Sequence, residues 1–155
     1  MDTSISRLVR AQPLTIFRLA AQVEDWPRLL PHYRWVRVLS QTDERHRTVD
    51  MAARRDVFGN LGVPLHWMAI ETLYPEDMRI EFQHIRGITR GMWVAWTISP
   101  SLRDAEMSHV EIRHVFRPAW PLPNTIIRGI VGEYFVNGVA RRTLARLAEL
   151  AQGPT

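Results

Sequence analysis

The sequence predicts an α+β domain in which a curved, seven-stranded antiparallel sheet wraps around one long C-terminal helix. Three observations support this fold class. Apolar residues recur with a period of two through most of residues 33–117, residues 124–150 carry an apolar stripe with helical spacing, and two short helical segments follow a first strand. The long helix is then the element available to cover the concave face of the sheet. At 155 residues, the chain is expected to form a single domain over residues 1–155.

Prolines and apolar spacing predict the first strand and the two short helices. Residues 4–10 alternate weakly and are predicted to form the strand. Pro13 then lies in the first turn of a helix, where proline is well tolerated, and apolar residues follow at intervals of three and four. The Asp-Trp-Pro sequence at 25–27 ends this helix. A second helical turn stops before Pro31, because the residue before a proline is driven out of the α region.

Six further strands are predicted from runs of β-branched and aromatic residues between turn clusters. They cover residues 36–38, 48–55, 64–73, 79–85, 91–99 and 107–117. The short turns between them imply antiparallel pairing. A stiff, proline-rich connector follows at 118–123, and Asn124 or Thr125 is expected to cap a helix that runs to about Leu150. At ~1.5 Å per residue this helix spans about 37 Å, which is long enough to cross the sheet.

Composition excludes several kinds of chemistry. The chain has no cysteine, which excludes disulfides, thiolate zinc sites, iron–sulfur centres and cysteine nucleophiles. All 20 basic residues are arginine, so lysine Schiff-base chemistry is excluded as well. The net charge is +4 and the arginines form no basic block, so a nucleic-acid partner is not expected. We expect neither a metal nor a cofactor.

Hydropathy predicts a protein that does not insert stably into membranes. With 46% hydrophobic and 23% charged residues, the composition is that of an ordinary globular domain. No apolar run approaches the ~20 residues of a membrane-spanning helix, and residues 1–7 lack the pattern of a signal peptide. We therefore expect a cytoplasmic protein that is a monomer or a homodimer.

A short motif lies where the first helix ends. It reads Ile-Phe-Arg-Leu-Ala-Ala-Gln-Val-Glu-Asp-Trp-Pro at residues 16–27 and is followed by Leu30-Pro31. Together with the element order, this segment resembles the START-like (SRPBCC) superfamily, in its polyketide cyclase/dehydrase and coenzyme Q-binding branch. The resemblance implies a helix-grip fold whose cavity, between sheet and C-terminal helix, holds a hydrophobic small molecule such as a lipid, a quinone or a polyketide. Some relatives are cyclases or dehydratases, but binding without catalysis is slightly favoured for this chain.

Strand alternation identifies the side chains that should face this cavity. His84, His114 and Glu71 each stand among apolar residues on the inward face of a strand, and we predict them as candidate catalytic acid–base groups. A metal site built from these three is not expected, because no two of them have a recognised ligand spacing. The candidate ligand-binding residues are Trp35, Trp67, Ala69, Phe82, Arg90, Met92, Trp96, Tyr134, Asn137, Gly138 and Arg141.

These binding residues are chosen for different reasons. The tryptophans offer flat surfaces to an aromatic ligand. Arg90 lies in a glycine-bounded hairpin tip, which is either a solvated turn or a place where the guanidinium meets a ligand carboxylate or carbonyl. Gly138 lies within the helix and makes room for a strand or a ligand. In the cyclase relatives, a hydroxyl and an arginine follow the tryptophan that corresponds to Trp67. Ala69 and Glu71 stand there in this chain, which argues against cyclase activity.

Two alternatives stay open at this point. Either histidine alone would fit a hydrogen-bonded core residue, whereas two histidines and a carboxylate in one cavity favour a functional site. The rival function is a non-enzymatic partner-regulating module, like the toxin-type and chaperone-cofactor members of the superfamily, which acts through its outer surface. In that case the outward-facing Trp93 and the arginine pairs at 54–55 and 141–142 would matter more than the cavity.

Overall fold

The computed structural model describes residues 1–56 and 62–153, and these residues form an antiparallel sheet packed against helices. The strands are β1 (Asp2–Val9), β2 (Tyr33–Gln41), β3 (His46–Asp56), β4 (Gly62–Tyr74), β5 (Arg79–Arg86), β6 (Met92–Pro100) and β7 (Ser108–Phe116). Their order in the sheet is β1-β7-β6-β5-β4-β3-β2. The strands from β2 to β7 therefore pair in sequence order, and β1 pairs with β7. The predicted α+β fold class and its seven-stranded antiparallel sheet are confirmed.

The helices come from the two ends of the chain. After β1 follow α1 (Pro13–Ala21), a single 3-10 turn (Val23–Asp25) and α2 (Trp26–Leu29). Pro13 occupies the first turn of α1, where its fixed φ suits the helix and its missing N–H costs nothing. The C-terminal helix consists of α3 (Asn124–Arg128), a π-wound segment (Gly129–Ala140) and α4 (Arg141–Gln152) in direct succession.

The C-terminal helix has the predicted extent but neither the predicted cap nor the predicted uniform winding. Pro123 is the N-cap residue and no side chain caps the helix, so the capping role predicted for Asn124 or Thr125 is wrong. Through Gly129–Ala140 the backbone is π-wound, a geometry that is rare in proteins and occurs often at functional sites. This segment lies against β1, β3 and β7 and therefore crosses the concave face of the sheet.

The concave face carries the core, as strand alternation predicted. In β6 the residues Met92, Val94, Trp96 and Ile98 are buried, whereas Trp93 on the other face is half-buried. In β5 and β7 the buried set is Ile80, Phe82, His84, Ser108, Val110, Ile112, His114 and Phe116. Each large apolar side chain that is fully buried contributes about 1.5–3 kcal/mol to stability. Burial of this face against the helices is therefore the main force that closes the fold.

An irregularity in β2 reverses the alternation near the start of that strand. The register between β2 and β3 shifts between Tyr33 and Trp35. Tyr33 is consequently buried on the concave face, while Trp35 lies on the outer face, where its Nε1 donates a hydrogen bond to Asp50 Oδ2 at 3.2 Å. A β-bulge has this effect because one inserted residue shifts the two-residue period of the strand.

Candidate functional site

A cavity of about 40 Å³ lies between the concave face of the sheet and the C-terminal helix. Its walls are mainly aromatic and come from Trp26, Tyr33, Trp67, Phe82, Trp96 and Phe135. The aliphatic lining residues are Met51, Val94, Ile112, Val139 and Ala140, and the polar ones are His84, His114 and Thr143. A cavity of this volume holds a few water molecules, whereas sites for drug-sized ligands measure about 300–1,000 Å³. Side chains must therefore move before a larger molecule can enter.

The phenyl ring of Phe135, in the π-wound segment, forms the helix side of the cavity wall. It meets Trp67 of β4 edge to face at a centroid distance of 5.1 Å, His84 of β5 at 5.6 Å and His114 of β7 at 6.3 Å. Trp67 and His84 in turn stack in parallel, with centroids 5.6 Å apart and an interplanar angle of 2°. One helical side chain thus contacts rings from three strands, and its position determines how much of the cavity is open.

His84 is held by a hydrogen bond to the tip of the β5–β6 hairpin. Its Nδ1 lies 2.7 Å from the hydroxyl of Thr89, and both residues are buried. The tip turns sharply because Gly87 and Gly91 both have a φ of +97°, a conformation that side chains with a Cβ rarely adopt. A Cβ at Gly87 would also come within 2.7 Å of the carbonyl of His66. The two glycines thereby direct Thr89 inward to the cavity histidine.

His114 contributes a polar atom without a partner. Its ring is 2 % exposed, and its Nδ1 has no hydrogen-bond partner among residues 1–56 and 62–153. Burial lowers the pKa of His114 to about 4. Burial, reinforced by the charge of the neighbouring His114, lowers the pKa of His84 to about 3. Both imidazoles are therefore neutral near pH 7, and each presents one donor and one acceptor nitrogen.

A third histidine connects the cavity to the outside. His32 Nε2 lies 2.9 Å from the hydroxyl of Thr143, a buried residue of the cavity lining. His32 is itself half-buried and borders a surface groove beside α4. Burial and the charge of Arg142 lower the pKa of His32 to about 4. Thr143 thus stands where the cavity and this outer groove approach each other.

Glu71 faces inward as predicted, but it does not line the cavity. Its side chain is fully buried and pairs with Arg47, which lies opposite it on β3 and whose Nη2 donates to Oε1 at 2.7 Å. Arg47 also donates to the carbonyl of Ala21 at 2.8 Å and to Glu24 Oε2 at 3.2 Å. Burial raises the pKa of Glu71 to about 7 in spite of Arg47. This network ties the end of α1 to the sheet, and it keeps Glu71 away from the two histidines.

The predicted binding residues divide between the cavity, the core around it and the outer surface. Trp67, Phe82 and Trp96 line the cavity. Ala69, Met92 and Gly138 are buried but are not among its lining residues. Trp35, Arg90 and Arg141 lie outside it: the β2 bulge turns Trp35 outward, Arg90 is exposed at the hairpin tip, and Arg141 borders a surface groove beside β1. The side chains of Tyr134 and Asn137 lie outside the described part of the structure.

The structure brings several residues to the site that were not predicted there, and four of them matter most for its chemistry. Phe135, Thr143 and Tyr33 line the cavity, and Thr89 supports His84 from behind. For Thr89 the sequence did carry a signal: it lies between two glycines in a tight turn, where a hydroxyl can fold back towards the preceding strand. Phe135 belonged to the apolar stripe of the helix, but nothing in that stripe distinguishes a residue of the cavity wall from one of the core.

Neither a metal site nor a membrane span is present in the described ranges. No group of three or more histidine, aspartate or glutamate side chains within residues 1–56 and 62–153 is placed to hold a metal ion. In the same part of the chain, no helix is long and apolar enough to cross a membrane.

Comparison with solved structures shows a shared fold. The chain is similar to a protein from Thermus thermophilus, with a TM-score of 0.76 and 18% identity over 96% of this chain and 94% of that one. It is similar to the Zhui aromatase/cyclase from Streptomyces sp. R1128, with a TM-score of 0.74 and 19% identity over 98% and 93% of the two chains. A START superfamily protein from Mycobacterium smegmatis has a TM-score of 0.68 and 16% identity over 96% and 98%.

The sequence itself identifies the family. No functionally curated protein matches the chain. Residues 9–142, however, match the family model described as "Polyketide cyclase / dehydrase and lipid transport". This range runs from the end of β1 into α4 and includes every residue that lines the cavity except Thr143. The predicted START-like resemblance is confirmed, and the chain belongs to the polyketide cyclase/dehydrase and lipid transport family.

Proposed function

We propose that the protein binds a hydrophobic small molecule, such as a quinone, a lipid or a polyketide, in the cavity between sheet and C-terminal helix. The observation that carries this proposal is His114 Nδ1, a buried polar atom in an aromatic wall that has no partner among the described residues. Leaving such an atom unpaired costs about 1–3 kcal/mol. A ligand carbonyl or hydroxyl satisfies it while the ligand's rings pack against Trp67 and Trp96.

Phe135 stands where the rings of this ligand would lie. It contacts Trp67 and both cavity histidines, and the space left beside it is about 40 Å³. Ligand entry therefore displaces Phe135. The π-wound segment that carries Phe135 has more residues per turn than an α-helix, so rewinding part of it rotates the phenyl ring about the helix axis.

Electrostatics favour binding over acid–base catalysis at this site. A general base works best when its pKa is near the operating pH. The pKa of His84 is lowered to about 3 and that of His114 to about 4, so both are weak bases. Glu71, whose pKa is raised to about 7, lies outside the cavity. We therefore assign the histidines a role in hydrogen bonding to the ligand as neutral imidazoles, without proton abstraction.

Two probes that differ by one polar group test this assignment. Naphthalene and 2-naphthol are titrated into the protein while tryptophan emission is followed. After correction for their different transfer from water, the parent should bind 2-naphthol about 3- to 10-fold more tightly, which is the net value of one hydrogen bond. His114→Phe should lose this preference and still bind naphthalene. If His114→Phe prefers 2-naphthol over naphthalene as strongly as the parent does, His114 does not bind the ligand's polar group.

Matched tryptophan variants locate the probe. Trp67→Phe should reduce the quench, because Trp67 lines the cavity, whereas Trp93→Phe on the outer face should keep it. A quench lost in Trp93→Phe alone would favour the partner-regulating alternative. Incubation with a poly-β-ketone should yield no more cyclised product than incubation in buffer alone. Turnover that falls about 10²-fold in His114→Gln would overturn the assignment to binding without catalysis.

A further inference from the structure

We propose that one end of the molecule docks on an anionic lipid surface. This end, called the arginine end, consists of residues 83–93, which form the β5–β6 hairpin, and residues 114–132, which run from the end of β7 through the connector into the C-terminal helix. Docking here goes beyond ligand binding in the cavity and does not depend on it.

The arginine end carries a local excess of positive charge. The two segments contain four arginines, Arg86, Arg90, Arg117 and Arg128, and no acidic residue. Two acidic residues border it: Glu133 follows in sequence, and Asp2, opposite Val115 in the sheet, is paired with Arg113. All four are exposed, and none forms an ion pair with a carboxylate whose side chain the structure describes, although Arg117 is close enough to Asp2 to help lower the pKa of that carboxyl. These arginines therefore attract an anionic partner without first breaking an ion pair.

Backbone contacts hold the hairpin tip against the end of β7 and the start of the connector. The N–H of Arg117 donates to the carbonyl of Gly91 at 3.2 Å. Gly91 is required for this approach, because its φ is +97° and a Cβ would collide with the carbonyl of Arg117. The N-terminus of Met1 adds a further link, since its amine donates to the carbonyl of Phe116 at 2.9 Å. The hairpin tip and the start of the connector thus lie side by side, and α3 follows seven residues after Arg117.

Exposed apolar side chains occur in the same two segments as these arginines. Ile88 is at the hairpin tip, Trp120 is in the connector and Ile126 is in α3, and each is about 41–43% exposed. At a membrane surface, tryptophan prefers the headgroup level, aliphatic side chains reach the acyl boundary, and arginine pairs with lipid phosphates. A nucleic acid would also attract the arginines, but it would leave both isoleucines in water. The combination therefore fits an anionic lipid surface better.

The hairpin tip also connects the arginine end to the cavity. Ile88 is exposed, whereas the next residue, Thr89, is fully buried and lies 2.7 Å from Nδ1 of His84 in the cavity wall. Docking through Ile88 therefore places the lipid surface one residue away from a group that supports the site. Uptake of a hydrophobic ligand from the bilayer at this point rests on the proposed function, whereas docking itself does not.

Vesicle sedimentation tests the docking surface. The full chain is mixed with sucrose-loaded vesicles of phosphatidylcholine, with or without phosphatidylglycerol. Binding is expected for the vesicles that contain phosphatidylglycerol, and it should weaken as salt is added. Changing all four arginines (Arg86→Gln, Arg90→Gln, Arg117→Gln, Arg128→Gln) should lower the partition constant by roughly several hundred-fold. This figure corresponds to about fivefold for each basic residue at an anionic leaflet.

A control variant with the same change in net charge shows whether binding depends on this surface or only on the total charge of the protein. Arg7, Arg18, Arg28 and Arg103 are exposed and lie outside the arginine end. Their joint replacement by glutamine should retain most of the binding. Trp120→Ser with Ile126→Ser should weaken binding to the phosphatidylglycerol vesicles, whereas Leu102→Ser, at a fully exposed residue of the β6–β7 loop, should not.

Three outcomes would overturn the proposal. They are failure of the parent to bind the anionic vesicles, equal loss of binding in the two fourfold variants, and binding to a DNA duplex without binding to vesicles. Far-UV dichroism and thermal unfolding confirm that each variant is folded. Naphthalene binding by the fourfold variant shows independently that the cavity is intact, so a failure of docking is distinguished from a failure of the proposed function.

Discussion

Replacing Phe135 with alanine should destabilise the protein strongly and, at the same time, create a site for a small aromatic molecule. The phenyl ring is 3 % exposed and contacts rings at Trp67, His84 and His114. Truncation of a buried phenylalanine costs about 3–5 kcal/mol of the free energy of unfolding. Because three ring contacts are lost together, and each aromatic pair contributes about 0.5–1.5 kcal/mol beyond its area, we expect about 4 kcal/mol.

A bound aromatic molecule should restore much of this loss. An engineered apolar cavity on the order of 150 Å³ binds benzene, and the space vacated by Phe135 is lined mainly by aromatic and aliphatic groups, with His84, His114 and Thr143 as its polar members. Naphthalene at a hundred times its dissociation constant stabilises by about 2.7 kcal/mol. The parent should gain less at the same concentration, because there the ligand must first displace the phenyl ring. Urea unfolding with and without naphthalene, followed by circular dichroism, measures both changes.

Leu147→Ala is the matched control. Leu147 is buried on α4 and is not among the cavity-lining residues. Its truncation should also cost about 2–5 kcal/mol, but naphthalene should not restore the loss. If naphthalene stabilises Phe135→Ala no more than it stabilises Leu147→Ala or the parent, Phe135 does not occupy the ligand's place.

Two further predictions concern buried titratable groups. Burial raises the pKa of Glu71 from 4.5 to about 7, so the parent loses stability as the pH rises between these values. Glu71→Gln should lack this pH dependence. Its free energy of unfolding in urea, relative to that of the parent, should therefore rise by on the order of 3 kcal/mol across this pH range, and equal pH dependence of the two proteins would contradict the raised pKa of Glu71. Burial lowers the pKa of His84 from 6.5 to about 3, so its contribution is complete above pH 6.5 and is lost as the pH falls towards 3. In His84→Gln, the free energy of unfolding should fall less steeply between pH 6.5 and pH 3, by a slope that corresponds to one bound proton. Thr89→Val removes the hydrogen-bond partner of His84 and should lower the free energy of unfolding at all pH values more than it changes this slope.

The inward faces of the sheet were predictable because burial of one face imposes a period of two. His84, His114, Trp67 and Trp96 all face the core for this reason. Trp35 shows where this reasoning fails. A single bulge in β2, between Tyr33 and Trp35, reverses the alternation. No proline or glycine at residues 33–35 marks the position of this bulge in the sequence.

The composition of the site depends on contacts between distant residues, which periodicity does not describe. Glu71 has the correct orientation, but Arg47 on the adjacent strand holds it under α1, and only the strand register brings these two together. Phe135 lies in the π-wound segment, where the α-helical period used for the prediction does not apply. The predicted helix cap failed for a related reason: Pro123 sets the backbone at the start of the helix, and no side-chain hydrogen bond is made there.

The small volume of the cavity has a physical explanation that links stability to ligand choice. An empty apolar void of about 300 Å³ would cost about 7 kcal/mol at ~24 cal/mol per Å³, which is comparable with the entire stability of about 5–15 kcal/mol expected for a domain. Closing the cavity with Phe135 avoids this cost in the free protein. A ligand must then replace the contacts of the phenyl ring with Trp67 and the two histidines before it gains any net affinity. Molecules that are large, flat and aromatic, with one polar group that reaches His114, meet this requirement, whereas short aliphatic chains do not.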